Sequence, residues 1–450
     1  MNNINNIIKN NSMSRYQIVA VSLCVILYML DGFDVLVMAF TAAPVAKEWG
    51  LQASQVGLLL SAGLFGMTGG SLFIAPLADK FGRRALVLSC LVIISVGMGL
   101  SAFANSMVEL GILRLVTGLG IGGMLATLTV VASEYSSAKW NNFILSLLGV
   151  GYPIGAVVGG SIAAVLMLHY DWRSVFLFGS LVSFFLIPLA LLCLPESLDF
   201  LLSKRPANAL QKINLLMTRM GHQALASLPP LSDSGELPQT NLRSLFAPEV
   251  RRSTLLIWLA FFMVMFSFYF VLSWTPKLLV AAGLSTAEGI SGGVLINLGG
   301  ITGGLLLGYI SSRFSLRKIL MIYMFATTVL MLAFGLFWSQ LTLALGLGVI
   351  MGFFLFGSMI GLYILTPAKY ATSIRTTGMG WAIGIGRLGA IFSPIIAGFL
   401  LEQQWQSGSL FMLFSMPLLC AMVAVYFVSK DAVVDKTADY QSDTVSAAKS

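Results

Sequence analysis

The chain has 450 residues, 57% of them hydrophobic and only 10% charged, with a net charge of +8 and a mean hydropathy of +0.90. Ordinary soluble domains are roughly 25% charged, so a water-soluble fold is excluded and lipid must solvate most of the surface. The positive charge does not mark a nucleic-acid binder. Its Lys and Arg sit singly or in short groups between apolar runs, which is the pattern of cytoplasmic loops in a membrane protein.

A crossing needs about 20 apolar residues. Taken in chain order, twelve segments meet that length: 17–43, 55–78, 85–104, 109–133, 142–168, 174–194, 254–282, 288–310, 318–337, 340–367, 376–401 and 408–429. The first lacks a small-residue cleavage site and is followed by many others, so it reads as a retained helix and not a leader. Twelve crossings put both termini on one side. With the termini in the cytoplasm, Lys47, Arg173 and Lys277 are the only basic residues outside, and Arg114 and Arg387 lie within spans. Every other Lys and Arg falls inside, which sets the orientation.

The organisation expected is a cytoplasmic tail (1–16), a six-helix bundle (17–194), a linker (195–253), a second six-helix bundle (254–429) and a polar tail (430–450) without fixed structure. The linker carries Lys204, Arg205, Lys212, Arg219, Arg243, Arg251 and Arg252, and residues 206–220 have the Leu, Ile and Met spacing of an amphipathic helix. The four cysteines, Cys24, Cys90, Cys193 and Cys420, all lie in apolar runs with no metal-binding spacing. His169 and His222 fall at or beyond span edges, and no hydrolase, metalloprotease or phosphate-loop motif occurs. No catalytic residue, metal or cofactor is therefore expected.

Two acids in the first span are costly in lipid. A charge at the bilayer centre costs about 2.5–3.5 kcal/mol on insertion scales, and Asp31 and Asp34 are one helical turn apart on a shared face. Two carboxylates that close cannot both ionise cheaply in a poor solvent. Such a pair suits a proton picked up outside and released inside, although either acid could instead hold a neighbouring backbone group or Arg. Arg114 in the fourth span and Arg387 in the eleventh stay charged and need anions or water. Arg114 could pair with Asp34, as a structural bridge or as part of coupling. Arg387 has no acid at its depth in its own half, and a buried guanidinium can hold a substrate carboxylate bidentately. Glu134, at the cytoplasmic end of the fourth span, reads either as an interfacial helix-end charge or as a proton exit. Aromatic partners for an organic ligand are Tyr152, Trp274, Tyr363 and Trp381.

The halves repeat. Asp79-Lys-Phe-Gly82-Arg83-Arg84 follows the second span, and Ser312-Arg313-Phe-Ser-Leu-Arg317 follows the eighth. Gly149-Val-Gly151-Tyr152 in the fifth span is echoed by Gly384-Ile-Gly386-Arg387 in the eleventh at nearly the same offset. Duplicated halves are the construction of a rocking transporter. Gly82 permits a tight turn, Asp79 can cap or pair with a helix end, and Arg83 and Arg84 can anchor the loop. The second copy has Ser312 in place of the acid.

The loop 79–84 resembles the signature of the major facilitator superfamily, with Ala75 where that family usually has Gly. More narrowly, Asp31-Gly-Phe-Asp34 is similar to the motif of the aromatic acid:H⁺ symporters. Further matches are Arg114-Leu-Val-Thr-Gly118-Leu-Gly120, Ser273-Trp274-Thr-Pro276 and Arg375-Thr-Thr-Gly378-Met-Gly380-Trp381, together covering residues 15–430. This resemblance implies an all-α membrane protein with twelve transmembrane helices in two six-helix pseudo-repeat bundles. It implies alternating-access import of a benzoate-like, hydroxybenzoate-like or ring-cleavage anion with protons. It also implies gating roles for Asp79, Gly82, Arg83, Arg84, Arg313, Arg317 and Arg375, although Arg375 could equally be a charge anchor. The expected setting is the inner (plasma) membrane, with the lipid bilayer, a small organic anion and protons as partners and a monomer as the working unit. The alternative is proton-antiport efflux of organic anions or drugs. Tyr152-Pro153-Ile-Gly155 places its Pro differently from the Gly-Pro pair of many exporters, which favours import.

Overall fold

The computed structural model describes residues 9–428 except 207, 229–241, 249, 312, 339 and 371–373, and leaves out the side chains of 142, 242, 243, 341 and 376. The tail expected at 430–450, the start of the N-terminal tail and Ser312 lie outside the described residues. Among the described residues, twelve helices are long and apolar enough to cross a membrane. They are α1 (Arg15–Trp49), α2 (Ala53–Gly69), α3 (Arg83–Ser101), α4 (Met107–Glu134), α5 (Ala138–His169), α6 (Trp172–Cys193), α7 (Arg251–Ala281), α8 (Thr286–Ser311), α9 (Leu316–Phe337), α10 (Leu341–Leu365), α11 (Arg375–Glu402) and α12 (Ser407–Phe427). Each expected segment falls on one of them, and the described residues include no strand. The chain is an all-α, multi-pass membrane protein.

Two helices depart from their apolar stretches for local reasons. A reciprocal capping box between Ser14 and Gln17 starts α1, which then runs past the apolar segment to Trp49 and stops at Gly50 (φ 62). Hydropathy marks only the lipid-facing length, whereas the backbone continues until a residue can turn it. The crossing begun by α2 continues to Phe81 through a π turn at Gly70–Ile74 and a 3-10 turn at Ala75–Leu77. Pro76 supplies no N–H to a regular ladder there. Gly82 (φ 99) then closes the turn into α3.

The packing obeys one relation. In the first half α1 packs on α5 and α6, α2 on α4, and α3 on α4 and α6. In the second half α7 packs on α11 and α12, α8 on α10, and α9 on α10 and α12. Between the halves α2 packs on α11 and α5 on α8, contacts that the same relation exchanges. The tightest crossings rest on missing side chains. A Cβ on Gly32 would overlap the Tyr152 carbonyl oxygen, and one on Gly155 the Met29 carbonyl oxygen, at the α1/α5 crossing. Gly66 and Gly118 do the same for α2/α4, and Gly303 and Gly352 for α8/α10. Backbones that approach this closely gain dispersion contacts that lipid cannot match.

The halves meet at the face opposite the linker. There Ser61 Oγ of α2 donates to the Ile391 carbonyl of α11 at 2.8 Å, and Gly57 and Gly398 seat against Pro394 and Ala53. Toward the linker face the space opens. Nothing lies within 4 Å of a Cβ on Gly149, Gly380 or Gly384, on the stripes leading to Tyr152 and Arg387.

The linker contributes two short helices, Leu198–Lys204 and Ala209–Arg219. The second buries Ile213, Leu216 and Met217, and its Arg219 lies 5.7 Å from the ring of Tyr16.

Gly32→Leu is expected to cost about 1–3 kcal/mol or more, because the added side chain must displace the α5 backbone. Thermal unfolding in detergent checks this, with Gly346→Ala, whose Cβ meets open space, expected to leave the midpoint unchanged or slightly raised.

Candidate functional site

Asp31 and Asp34 sit near the middle of α1 and are 1% and 3% exposed. The Gly32 crossing holds the backbone of Tyr152 against this turn of α1. One turn earlier, the Tyr28 hydroxyl bonds Thr129 Oγ1 and donates to the Leu125 carbonyl, tying α1 to α4. From the second half come Tyr269 on α7, Tyr363 on α10 and Arg387 on α11, all partly buried. Arg387 interacts electrostatically with Asp31, Tyr152, Tyr269 and Tyr363. No ion pair within 4 Å joins it to Asp31 among the described residues. Asp31 Oδ1 and the Tyr152 hydroxyl are buried without a hydrogen-bond partner. One cation, one carboxyl and four phenols thus gather at mid-height, drawn from both halves.

Asp34 looks elsewhere. It lines a cavity of about 20 Å³ inside the first half, with Arg114, Thr117, Leu60 and Met67, room for roughly one water. Arg114 donates to Ser101 Oγ and Thr117 Oγ1, both at 3.1 Å, and its guanidinium stands 4.8 Å from the Phe176 ring centroid. Asp34 and Arg114 interact electrostatically with no direct ion pair within 4 Å. Both Asp34 oxygens and Arg114 Nε are buried without partners. Thus Asp31 serves the junction of the halves and Asp34 the interior of one half.

At the linker face the α2–α3 loop is held by acids from other helices. Arg83 forms an ion pair with Glu134 at the end of α4 and donates to Ser197 Oγ at 2.7 Å. Arg84 donates to the Leu191 carbonyl of α6. Glu196 accepts the backbone N–H groups of Arg83 (2.7 Å) and Arg84 (3.1 Å), and Gly82 leaves room for its carboxylate. Asp79 is exposed and makes no hydrogen bond or ion pair among the described residues. In the second half Arg313 lies over the ring of Tyr309 and Arg317 over that of Tyr426, while Arg375 is exposed at the start of α11.

Two aromatic candidates lie apart from the central group. Trp274 is fully buried and donates its Nε1–H to the Pro394 carbonyl at 3.1 Å, joining α7 to α11. Trp381 is 43% exposed and stacks on Trp258.

The family model of the Major Facilitator Superfamily matches residues 22–382 and 293–449. The chain belongs to that superfamily. It is 32% identical to a gallate transporter of Pseudomonas putida, with 93% of each chain covered. It is 30% identical to the 4-hydroxybenzoate transporter PcaK of Acinetobacter baylyi, covering 96% of this chain and 95% of that one. The fold is similar to that of the Escherichia coli xylose transporter XylE in its partially occluded inward-open conformation, with a TM-score of 0.72 at 15% identity over 92% of this chain and 98% of that one. This member of the major facilitator superfamily is a transporter and not an enzyme.

Three residues of this facilitator were not singled out from the sequence. Tyr28 stands one turn before Asp31 on the same face of α1. Tyr269 carries a hydroxyl within an apolar run, as Tyr152 and Tyr363 do. Glu196 lies just past the sixth span in Pro195-Glu196-Ser197, and only its distance from the 79–84 loop in sequence hid it. Glu196→Ala is expected to cost about 1–3 kcal/mol by leaving the backbone N–H groups of Arg83, Arg84 and Ser197 without their acceptor. Thermal unfolding in detergent measures this, with Asp79→Ala expected to have little effect in the same assay.

Proposed function

We infer that this facilitator takes up a small aromatic carboxylate together with protons by alternating access. The observation that carries this reading is a buried Asp31 in one half facing Arg387 in the other, within reach of each other's charge and not in direct contact. A guanidinium in a poorly solvated site needs an anion, and two can compete here. When Asp31 is ionised it offsets Arg387; when it takes a proton, Arg387 is free for a substrate carboxylate. The substrate and its proton therefore arrive as a neutral set, and rocking of the halves carries both. Opening toward the linker face releases the anion, and Arg387 then draws the proton off Asp31. Tyr152, Tyr269 and Tyr363 supply ring faces and hydroxyls around the ligand.

The relatives that transport gallate and 4-hydroxybenzoate support an aromatic acid as the cargo. The distribution of Lys and Arg supports an inner-membrane protein with both termini and the linker in the cytoplasm. In that setting the opening lies on the cytoplasmic side, and a monomer holds the whole pathway. Asp34 and Arg114 face each other across a water-sized cavity one turn to the outer side of the proton site, and Glu134 with Arg83 braces the cytoplasmic end.

In proteoliposomes, uptake of labelled 4-hydroxybenzoate is expected to rise with an acidic exterior and to collapse with a protonophore. Uptake indifferent to the gradient would contradict the reading, and accumulation driven by the opposite gradient would identify an exporter. Asp31→Asn is expected to lose gradient-driven accumulation but keep exchange of labelled for unlabelled substrate. Arg387→Ala is expected to lose both, with binding weaker by about 10- to 100-fold from loss of the charged hydrogen bonds.

A further inference from the structure

The Tyr152 hydroxyl is the one phenol of the central group that is fully buried with no hydrogen-bond partner among the described residues. Tyr28, by contrast, spends its hydroxyl on Thr129 and Leu125. Tyr152 belongs to the first half and lies in the field of Arg387 and Tyr269, both of the second. Its backbone is held against α1 by the Gly32 crossing, which fixes where the side chain enters the site. An unsatisfied hydroxyl in such a site is a cost that a ligand with a complementary polar group removes.

We propose that Tyr152 is a specificity-determining residue that hydrogen-bonds a ring hydroxyl of the substrate, so that the site takes hydroxylated aromatic acids in preference to benzoate. This rests on the reading of function above. The anionic end of the ligand goes to Arg387, the only cation of the group, which leaves Tyr152 for the far side of the ring. A hydroxybenzoate then bridges the halves, with its carboxylate on α11 and its hydroxyl on α5. Benzoate fills the same space but leaves the phenol of Tyr152 unpaired when the halves close. A site that must pair a buried polar group discriminates strongly against a ligand that lacks the matching one.

The test is competition against labelled substrate uptake in proteoliposomes, using benzoate, 3- and 4-hydroxybenzoate, 3,4,5-trihydroxybenzoate and 4-fluorobenzoate. The wild type should favour at least one hydroxylated acid over benzoate by about 10- to 100-fold, with 4-fluorobenzoate as weak as benzoate. Tyr152→Phe should erase that preference while keeping the affinity for benzoate and the pH profile of uptake, and Tyr323→Phe, which removes another buried unpartnered phenol packed on Phe353 and Phe354 outside the central group, should retain the preference. Three results would overturn the assignment: equal affinities in the wild type, equal weakening of benzoate and hydroxybenzoates by Tyr152→Phe, or a shifted pH profile in that variant, which would tie the hydroxyl to Asp31. The wild-type comparison with 4-fluorobenzoate stands even if Tyr152→Phe folds poorly. Gradient-driven uptake without a hydroxyl preference sinks this assignment alone, whereas no uptake of any of these acids sinks the functional reading itself.

Discussion

A buried carboxyl group and a partly buried guanidinium, each mounted on a different half of the molecule, set the terms for everything else here. Asp31 and Arg387 feel each other's charge, yet no contact within 4 Å settles their account. Lipid-embedded protein has little water with which to screen or hydrate either group. In the function we propose, the net charge of the central group decides which arrangement of the halves is favoured, and a proton or a carboxylate changes that net charge by one. Binding and movement are then coupled because one site spans both halves.

The scaffold makes that coupling mechanically credible. Each half is fastened by crossings in which glycine lets backbones touch, so each moves as a packed unit and not as loose helices. Around Asp34 the arrangement is inward-looking: Arg114 is committed to Ser101, Thr117 and the ring of Phe176, and the cavity between them is water-sized. At the linker face, Glu134 and Glu196 bind the α2–α3 loop to α4 and the start of the linker. These contacts stiffen the first half and leave the Asp31–Arg387 junction as the place where the two bodies respond to ligand.

Much of this was legible in the residues. Span positions follow from the free energy of burying apolar length, and their ends shift only where Gly50 or Pro76 gives the backbone a reason. The acids of α1 stood out because lipid penalises charge, and Arg387 because nothing in its own half at its depth could neutralise it. What could not be read was partnership across distance. The i, i+3 spacing of Asp31 and Asp34 predicts one shared face, but the helices packed around α1 place Arg387 near one acid and Arg114 near the other. Trp274 and Trp381 are aromatic residues inside apolar spans, as Tyr152 and Tyr363 are, and only packing separates a tryptophan bonded to Pro394 from a phenol near Arg387. Glu196 was invisible for the same reason, since its partners are Arg83 and Arg84, far away in sequence.

The most direct measurement is substrate affinity as a function of pH, by titration calorimetry on purified protein, for the wild type and Asp31→Asn. If a proton on Asp31 frees Arg387, wild-type affinity falls as pH rises, by up to about tenfold per pH unit while one proton is taken up per substrate bound. Asp31→Asn should then bind tightly with an affinity that barely changes across the same range. A variant that keeps the wild-type slope would show that the proton binds elsewhere, and the Asp31–Arg387 account would fail.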